Sequence, residues 1–242
     1  MDWTQLQLNR LTKGALNAPV TPLVESSKVL LVSAHPLEDS LSGSLAGIVE
    51  DELTANGHAV TRINLYNIHG SPFQPSLTPT ERRGYFNDGY PTPSEDVKPF
   101  IASLQDANKL VFVYPTWWFS TPAILKGFID RVFLPGVAFR LPHLESKEEE
   151  SYFGLIPGLT NIKKVGVVTT YGAPRHIAFV SGDCGRNLVT RAVSFVFRDL
   201  KFYFYKENSC CLYSVEIALF CGWDYMEWIL KPTIQLKNLN LK

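Results

Sequence analysis

The sequence predicts an α/β protein, a parallel sheet covered by helices on both faces. The leading apolar run, KVLLVSA from Lys28 to Ala34, lacks the polar alternation of a half-wet strand and reads as one buried on both sides. Further β-rich runs recur with helix-forming stretches between them. Such alternation requires right-handed crossovers and therefore parallel neighbours.

After the first strand comes a turn, HPLEDSLS, and then an amphipathic helix with Leu41, Leu45, Ile48 and Val49 on its apolar face; Asn56-Gly57 supplies the stop. HAVTRINLY is the second strand. From about Tyr66 to Thr92 a proline-rich stretch has no clear periodicity, the mark of a functional cover or of disorder. Ser94-Glu95-Asp96 opens a short helix with Val97, Ile101 and Leu104 inward. KLVFVYP is the third strand and Thr121 to Phe133 its helix, with Thr121 as the expected cap and Pro122 at the first helical position. Ile124, Phe128 and Val132 make its buried stripe, and Gly127 is expected where the helix approaches the sheet. An irregular region from Leu134 to Thr160 carries the acidic run ESKEEE, read as a solvated turn. KKVGVVTTYG is the fourth strand; a helix near Arg186 to Phe197 and a short strand, KFYFY, complete the pattern.

Composition removes several function classes. The 242 residues suffice for a substantial core. Lys plus Arg and Asp plus Glu number 23 each, so no global field draws nucleic acid or an anionic membrane. No uninterrupted apolar span reaches transmembrane length, and the N-terminus lacks the apolar core of a signal peptide. Cys184, Cys210, Cys211 and Cys221 form no Cys-x-x-Cys pair and have no histidine at ligand spacing. They read as reduced thiols of a cytoplasmic protein, with no metal site.

In an open parallel sheet a ligand sits beyond the carboxyl ends of the strands, where strand order reverses. Three loops lie there. The first, AHPLEDSLSGS, is neither a Walker A motif nor a dinucleotide fingerprint. It places Ser40 and Ser42 at a helix start beside His35, which suits a phosphate or, equally, a plain N-cap. The second carries Trp117, Trp118 and Phe119 after Pro115 and Thr116. These aromatics either wall a slot for a planar ring or pack beneath the proline-rich stretch. The third, TTYGAPRHIAFVSGD, brings Thr169, Thr170, Tyr171 and Gly172, then Arg175 and His176, which can meet an anion, share a proton or simply lie on the surface. No Ser-His-Asp order or paired carboxylates stand out, so a borrowed cofactor is the simpler route to chemistry.

VLLVSAHP with DSLS, VYPTWWFSTPAILKGFIDRVF followed by GVAF, and VTTYG together resemble the flavodoxin-like NAD(P)H:quinone reductase family, over roughly Lys28 to Phe204. The family includes DT-diaphorase and the modulator-of-drug-activity and potassium-efflux ancillary flavoproteins. The resemblance implies a five-stranded parallel sheet in order 2-1-3-4-5 with tightly held FAD or FMN. It assigns His35, Ser40, Leu41 and Ser42 to the flavin phosphate. Pro115, Thr116, Trp117, Trp118 and Phe119 flank the ring, and Thr169, Thr170, Tyr171 and Gly172 close its other edge. It further implies hydride transfer from NAD(P)H through the flavin to a quinone, with nitro or azo compounds as side substrates, in a homodimer.

The tyrosine and histidine that assist charge transfer in DT-diaphorase-type enzymes have no counterpart at the same spacing. Arg175 or His176 is the substitute, with His176 favoured, and Tyr171 at the strand end is a further catalytic candidate. The organisation read from the sequence is an extension over residues 1–27, a flavin domain over 28–206 and a divergent segment over 207–242. The competing readings are a regulatory flavoprotein that binds a partner through that segment, and a member that has lost its cofactor.

Overall fold

The computed structural model describes residues 26–85, 89–145, 154–197, 202–206 and 214–221. The N-terminal extension before residue 26, the acidic run from Ser146 and most of the C-terminal segment lie outside the described residues.

Four strands form the parallel part of the sheet: β1 (Lys28–Ser33), β2 (Ala59–Asn64), β3 (Lys109–Pro115) and β6 (Lys164–Tyr171), in the order β2-β1-β3-β6. This matches the first four positions of the expected 2-1-3-4-5 order. The next position differs. The predicted KFYFY run forms β7 (Phe202–Lys206), but β8 (Ser214–Cys221) lies between it and β6, and both pairings are antiparallel. Part of the C-terminal segment thus enters the sheet. A two-residue ladder, β4 (Phe139–Arg140) with β5 (Ile156–Pro157), stands apart.

The two-residue period of a strand divides the core. Val29, Leu31, Val111, Val113 and Val168 face one side, where helix α1 (Leu41–Ala55) covers them with Leu45, Ala46, Val49 and Leu53. Ile48 of the predicted face is only half-buried, so the buried stripe is turned toward Ala46 and Leu53. Asn56 caps the helix and Gly57 follows at φ 82, the left-handed stop expected there. Leu30, Val32, Leu110, Phe112 and Tyr114 face the opposite side, under α3 (Lys98–Asp106) and α4 (Ala123–Val132). Each large side chain so buried contributes about 1.5–3 kcal/mol. Val97, Ile101 and Leu104 are buried as the sequence predicts, and so is the stripe Ile124, Phe128 and Val132.

The proline-rich stretch is a packed cover. It contains a helix the sequence reading did not assign, α2 (Pro79–Gly84), opened by a capping box in which Thr78 Oγ1 accepts from Glu81 N–H and Glu81 accepts from Thr78 N–H. Phe73 packs edge-on against Phe100 and Phe128, at centroid distances of 5.3 and 5.6 Å. Arg131, 2% exposed, donates to Glu81, Ser94, Asp96 and the Gln74 carbonyl, pinning the stretch to α4. Gly127 corrects one expectation: its close approach is to this cover, not to the sheet. A Cβ there would stand 2.3 Å from the Pro75 carbonyl oxygen. Thr121 also corrects one, since Pro122 occupies the cap position of α4 and makes no side-chain capping bond.

After β6 come two short helices, α5 (Arg175–Val180), not predicted, and α6 (Cys184–Asn187). The latter runs on through a wide turn at Leu188–Ala192 and a tight one at Val193–Val196, so the predicted helix there is present in broken form.

Candidate active site

The sheet register brings the three loops together. Ser33 pairs with Val113, and Pro115 with Thr170, so the chains after β1, β3 and β6 leave the same edge side by side.

In the first loop, Ser40 is fully engaged as a cap. Its Oγ accepts from Gly43 N–H at 3.0 Å and donates to the Leu37 carbonyl at 2.7 Å. The plain-cap reading therefore describes Ser40. The amides of Leu41 and Ser42, first in the helix, have no intrahelical acceptor and give the site its anion-favouring donors. Ser42 is buried. His35 Nδ1 lies 3.1 Å from Leu37 N–H and 3.0 Å from the Leu37 carbonyl; each tautomer serves one of them. The imidazole stands 5.9 Å from the Trp117 ring, tilted by 59°, which joins the first loop to the second.

The second loop begins where Thr116 N–H donates to the Thr170 carbonyl at 2.8 Å, with Thr116 Oγ1 3.0 Å from Thr169 Oγ1. Trp117 and Ser120 then exchange two backbone hydrogen bonds of 3.0 Å around Trp118 (φ 52) and Phe119 (φ 58). Two successive left-handed residues make a mirror-image turn, normally built from Asn and Gly. With tryptophan and phenylalanine there the strain is about 1–2 kcal/mol for each. Trp118 is 95% exposed and Trp117 39%. The alternative of packing beneath the proline-rich stretch does not describe Trp118, whose indole stands bare at the carboxyl edge of the sheet. Just behind, Thr121 is 7% exposed and its Oγ1 has no partner among the described residues.

In the third loop Thr169, Thr170 and Tyr171 are buried and Gly172 is exposed. Tyr171 Oη–H donates to Asp183 Oδ1 at 2.8 Å. His176 lies exposed on α5, and among the described residues no hydrogen bond, ion pair or ring contact joins it to the other two loops. The sequence reading missed Asp183 and Gly185. Nothing in their spacing from Tyr171 or Phe119 carries a periodic signal; only the fold brings them together.

A cavity of about 320 Å³ lies elsewhere, between α2, α4 and the Leu188–Val196 turns, and none of the candidate residues lines it. Among the described residues no group of acidic, histidine or cysteine side chains is arranged to hold a metal ion, and no helix is long and apolar enough to cross a membrane.

The residues at the sheet edge fit a flavin: first-turn amides for a phosphate, an exposed aromatic face for a planar ring, and backbone and threonine groups for its polar edge. Residues 27–198 match the family model described as flavodoxin-like fold. The chain is 32% identical over 136 residues to the uncharacterized NAD(P)H oxidoreductase YcaK of Escherichia coli, covering 56% of this chain and 67% of that one. It is 36% identical over 129 residues to the human ribosyldihydronicotinamide dehydrogenase [quinone], covering 48% and 54%. An FMN-dependent NADH:quinone oxidoreductase of Macrococcus caseolyticus is 30% identical over 129 residues, covering 47% and 59%. The chain thus spans little more than half the length of the last two.

Proposed function

This chain belongs to the flavodoxin-like fold family, and from that premise we propose that it is an NAD(P)H-dependent oxidoreductase that uses bound FAD or FMN to reduce quinones. The observation that carries the proposal is the strained, exposed Trp117–Ser120 turn at the meeting point of three loops. The names of the matched relatives agree with an enzyme, and the regulatory alternative gains no support from them.

A bound flavin would accept a hydride from NAD(P)H and return it to a quinone, which leaves as hydroquinone. The chain's own residues bind and orient. The Leu41 and Ser42 amides at the start of α1 receive the phosphate, with His35 beside them. Pro115, Thr116, Trp117, Trp118 and Phe119 form one wall and exclude water from one ring face. Thr169, Thr170, Tyr171 and Gly172 bound the opposite edge. Donor and acceptor use one exposed face in turn, so the rate comes from positioning. His176, exposed on α5 after β6, is the group assigned to donate the proton that completes the hydroquinone.

The flavin-binding unit is residues 28–206, with the strand Ser214–Cys221 added to its sheet. The working form is a homodimer in the cytoplasm; the exposed hydrophobic side chains of Phe179 and Val180 support the dimer. Steady-state NAD(P)H oxidation with and without an added quinone tests the activity. Quinone-dependent turnover is expected; oxidation indifferent to quinone would refute it.

A further inference from the structure

Tyr171 ends β6, and Asp183 closes the loop that follows. The phenol of Tyr171 is 4% exposed and donates to Asp183 Oδ1 at 2.8 Å, a charge-assisted bond sheltered from water. Asp183 adopts φ 41 and ψ 53, a left-handed conformation that aspartate accepts more readily than most residues. Its backbone is tied on both sides: its N–H donates to the Ala178 carbonyl at 3.0 Å, and its carbonyl accepts Asn187 N–H at 3.0 Å. Arg186 stands 3.9 Å from Asp183 Oδ2.

Two residues beyond, the contact passes to the aromatic turn. Gly185 N–H donates to the Phe119 carbonyl at 3.2 Å. A Cβ at Gly185 would lie 3.0 Å from the Ser120 carbonyl carbon and 3.1 Å from Thr121 N, so backbone packs directly on backbone. Phe119 is the second left-handed residue of the turn, and such strain persists only where surroundings over-determine it.

We propose that Tyr171 and Asp183 form a latch that closes the loop after β6 and, through Gly185, holds the Trp117–Ser120 turn in its strained shape. Asp183 is a positioning residue that acts on the planar ligand through the turn, and the Tyr171 phenol acts with it, while the Tyr171 backbone bounds the ring edge proposed above. The ligand's identity as a flavin rests on the function proposed above; the latch itself does not.

The test is amide hydrogen exchange on the full chain without added flavin, comparing wild type with Tyr171→Phe, Asp183→Ala and Asp183→Asn, followed by FMN titration of each. In Tyr171→Phe and Asp183→Ala the amides of Trp117, Ser120 and Gly185 should exchange about tenfold faster, while β1 and β3 amides keep their wild-type rates. Asp183→Asn, which keeps an acceptor oxygen, should restore most of the protection. FMN dissociation constants should follow the same order, rising about tenfold for the first two variants. Unchanged exchange at Trp117 and Ser120, or equal acceleration across the whole sheet, would overturn the latch. Failure of the wild type to bind FMN would sink the flavin reading alone and leave the exchange result to decide the latch.

Discussion

The guanidinium of Arg131 donates to a single oxygen of Glu81, Oε1, through both Nε at 3.0 Å and Nη2 at 2.7 Å. Ser94 Oγ donates to the same atom at 2.8 Å, and Thr78 N–H donates to Oε2 at 2.7 Å. This carboxylate is the knot between the proline-rich cover and α4, because Arg131 is buried and Glu81 balances its charge there.

The knot sets an acid limit on stability. Burial by itself pushes the Glu81 carboxyl up, but the hydrogen bonds from Arg131, Thr78 and Ser94 outweigh it and bring the value from 4.5 down to about 2. A folded value below the unfolded one gives stability that is complete above 4.5 and lost as pH falls toward 2. Chemical denaturation from pH 6 downward, on the order of half-unit steps, should show that fall. Glu81→Gln should be weaker at neutral pH and flatter through the window. Asp96, also held low by its bond to Arg131, keeps part of the slope. An identical acid limb in the variant would refute the assignment.

Gly127→Ala should destabilise the fold by about 1–3 kcal/mol, since its Cβ must push back the Pro75 backbone. Thermal melts measure this, and faster proteolysis within residues 66–92 should accompany the loss. A stable variant with an unaltered cover would contradict the docking of Pro75 on α4.

Trp118→Gly should move stability and ligand binding in opposite directions. Glycine relieves the left-handed strain at φ 52, and an indole 95% exposed loses no packing, so the apoprotein should gain up to about 1 kcal/mol. Flavin retention should fall, because the bare ring face is gone. Loss of stability with flavin retained would reverse the assignment of the turn.

His176→Gln should leave flavin content as in the wild type and lower quinone turnover several-fold near neutral pH, by about one power of ten at most. A variant with the wild-type rate would remove His176 from the proton path.

Much of the frame was legible in the sequence because the elements that build it carry strong local patterns. KVLLVSA and KLVFVYP are buried on both faces and hold little else than apolar residues, and their limits fell within one residue of β1 and β3. The α2 helix was legible too and went unread: Thr78-Pro79-Thr80-Glu81 spells a capping box with proline inside the start. The fifth strand position was not legible, because the edge strand KFYFY reads the same whether its neighbour is parallel or antiparallel, and β8 comes from a segment that departs from the family pattern.

The site divides in the same way. His35, Thr116, Trp117, Thr169 and Thr170 lie at strand ends and Ser40 at the helix start that follows, where topology alone predicts a ligand, and the structure joins the loops through the His35–Trp117 and Thr116–Thr170 contacts. Asp183 and Gly185 act through a hydrogen bond and a close backbone approach to distant residues, and neither contact has a one-dimensional signature. The left-handed turn at Trp118-Phe119 runs against the local preference of both residues, so no propensity rule could have placed it.

The most direct test of the central claim is the visible spectrum of the purified full chain, reconstituted with FMN or FAD and titrated anaerobically with NADPH and then NADH. The account predicts a yellow protein whose absorbance bleaches on addition of a nicotinamide donor and returns when a quinone is added. A colourless protein that takes up neither flavin, or a yellow one that neither donor bleaches, would contradict it.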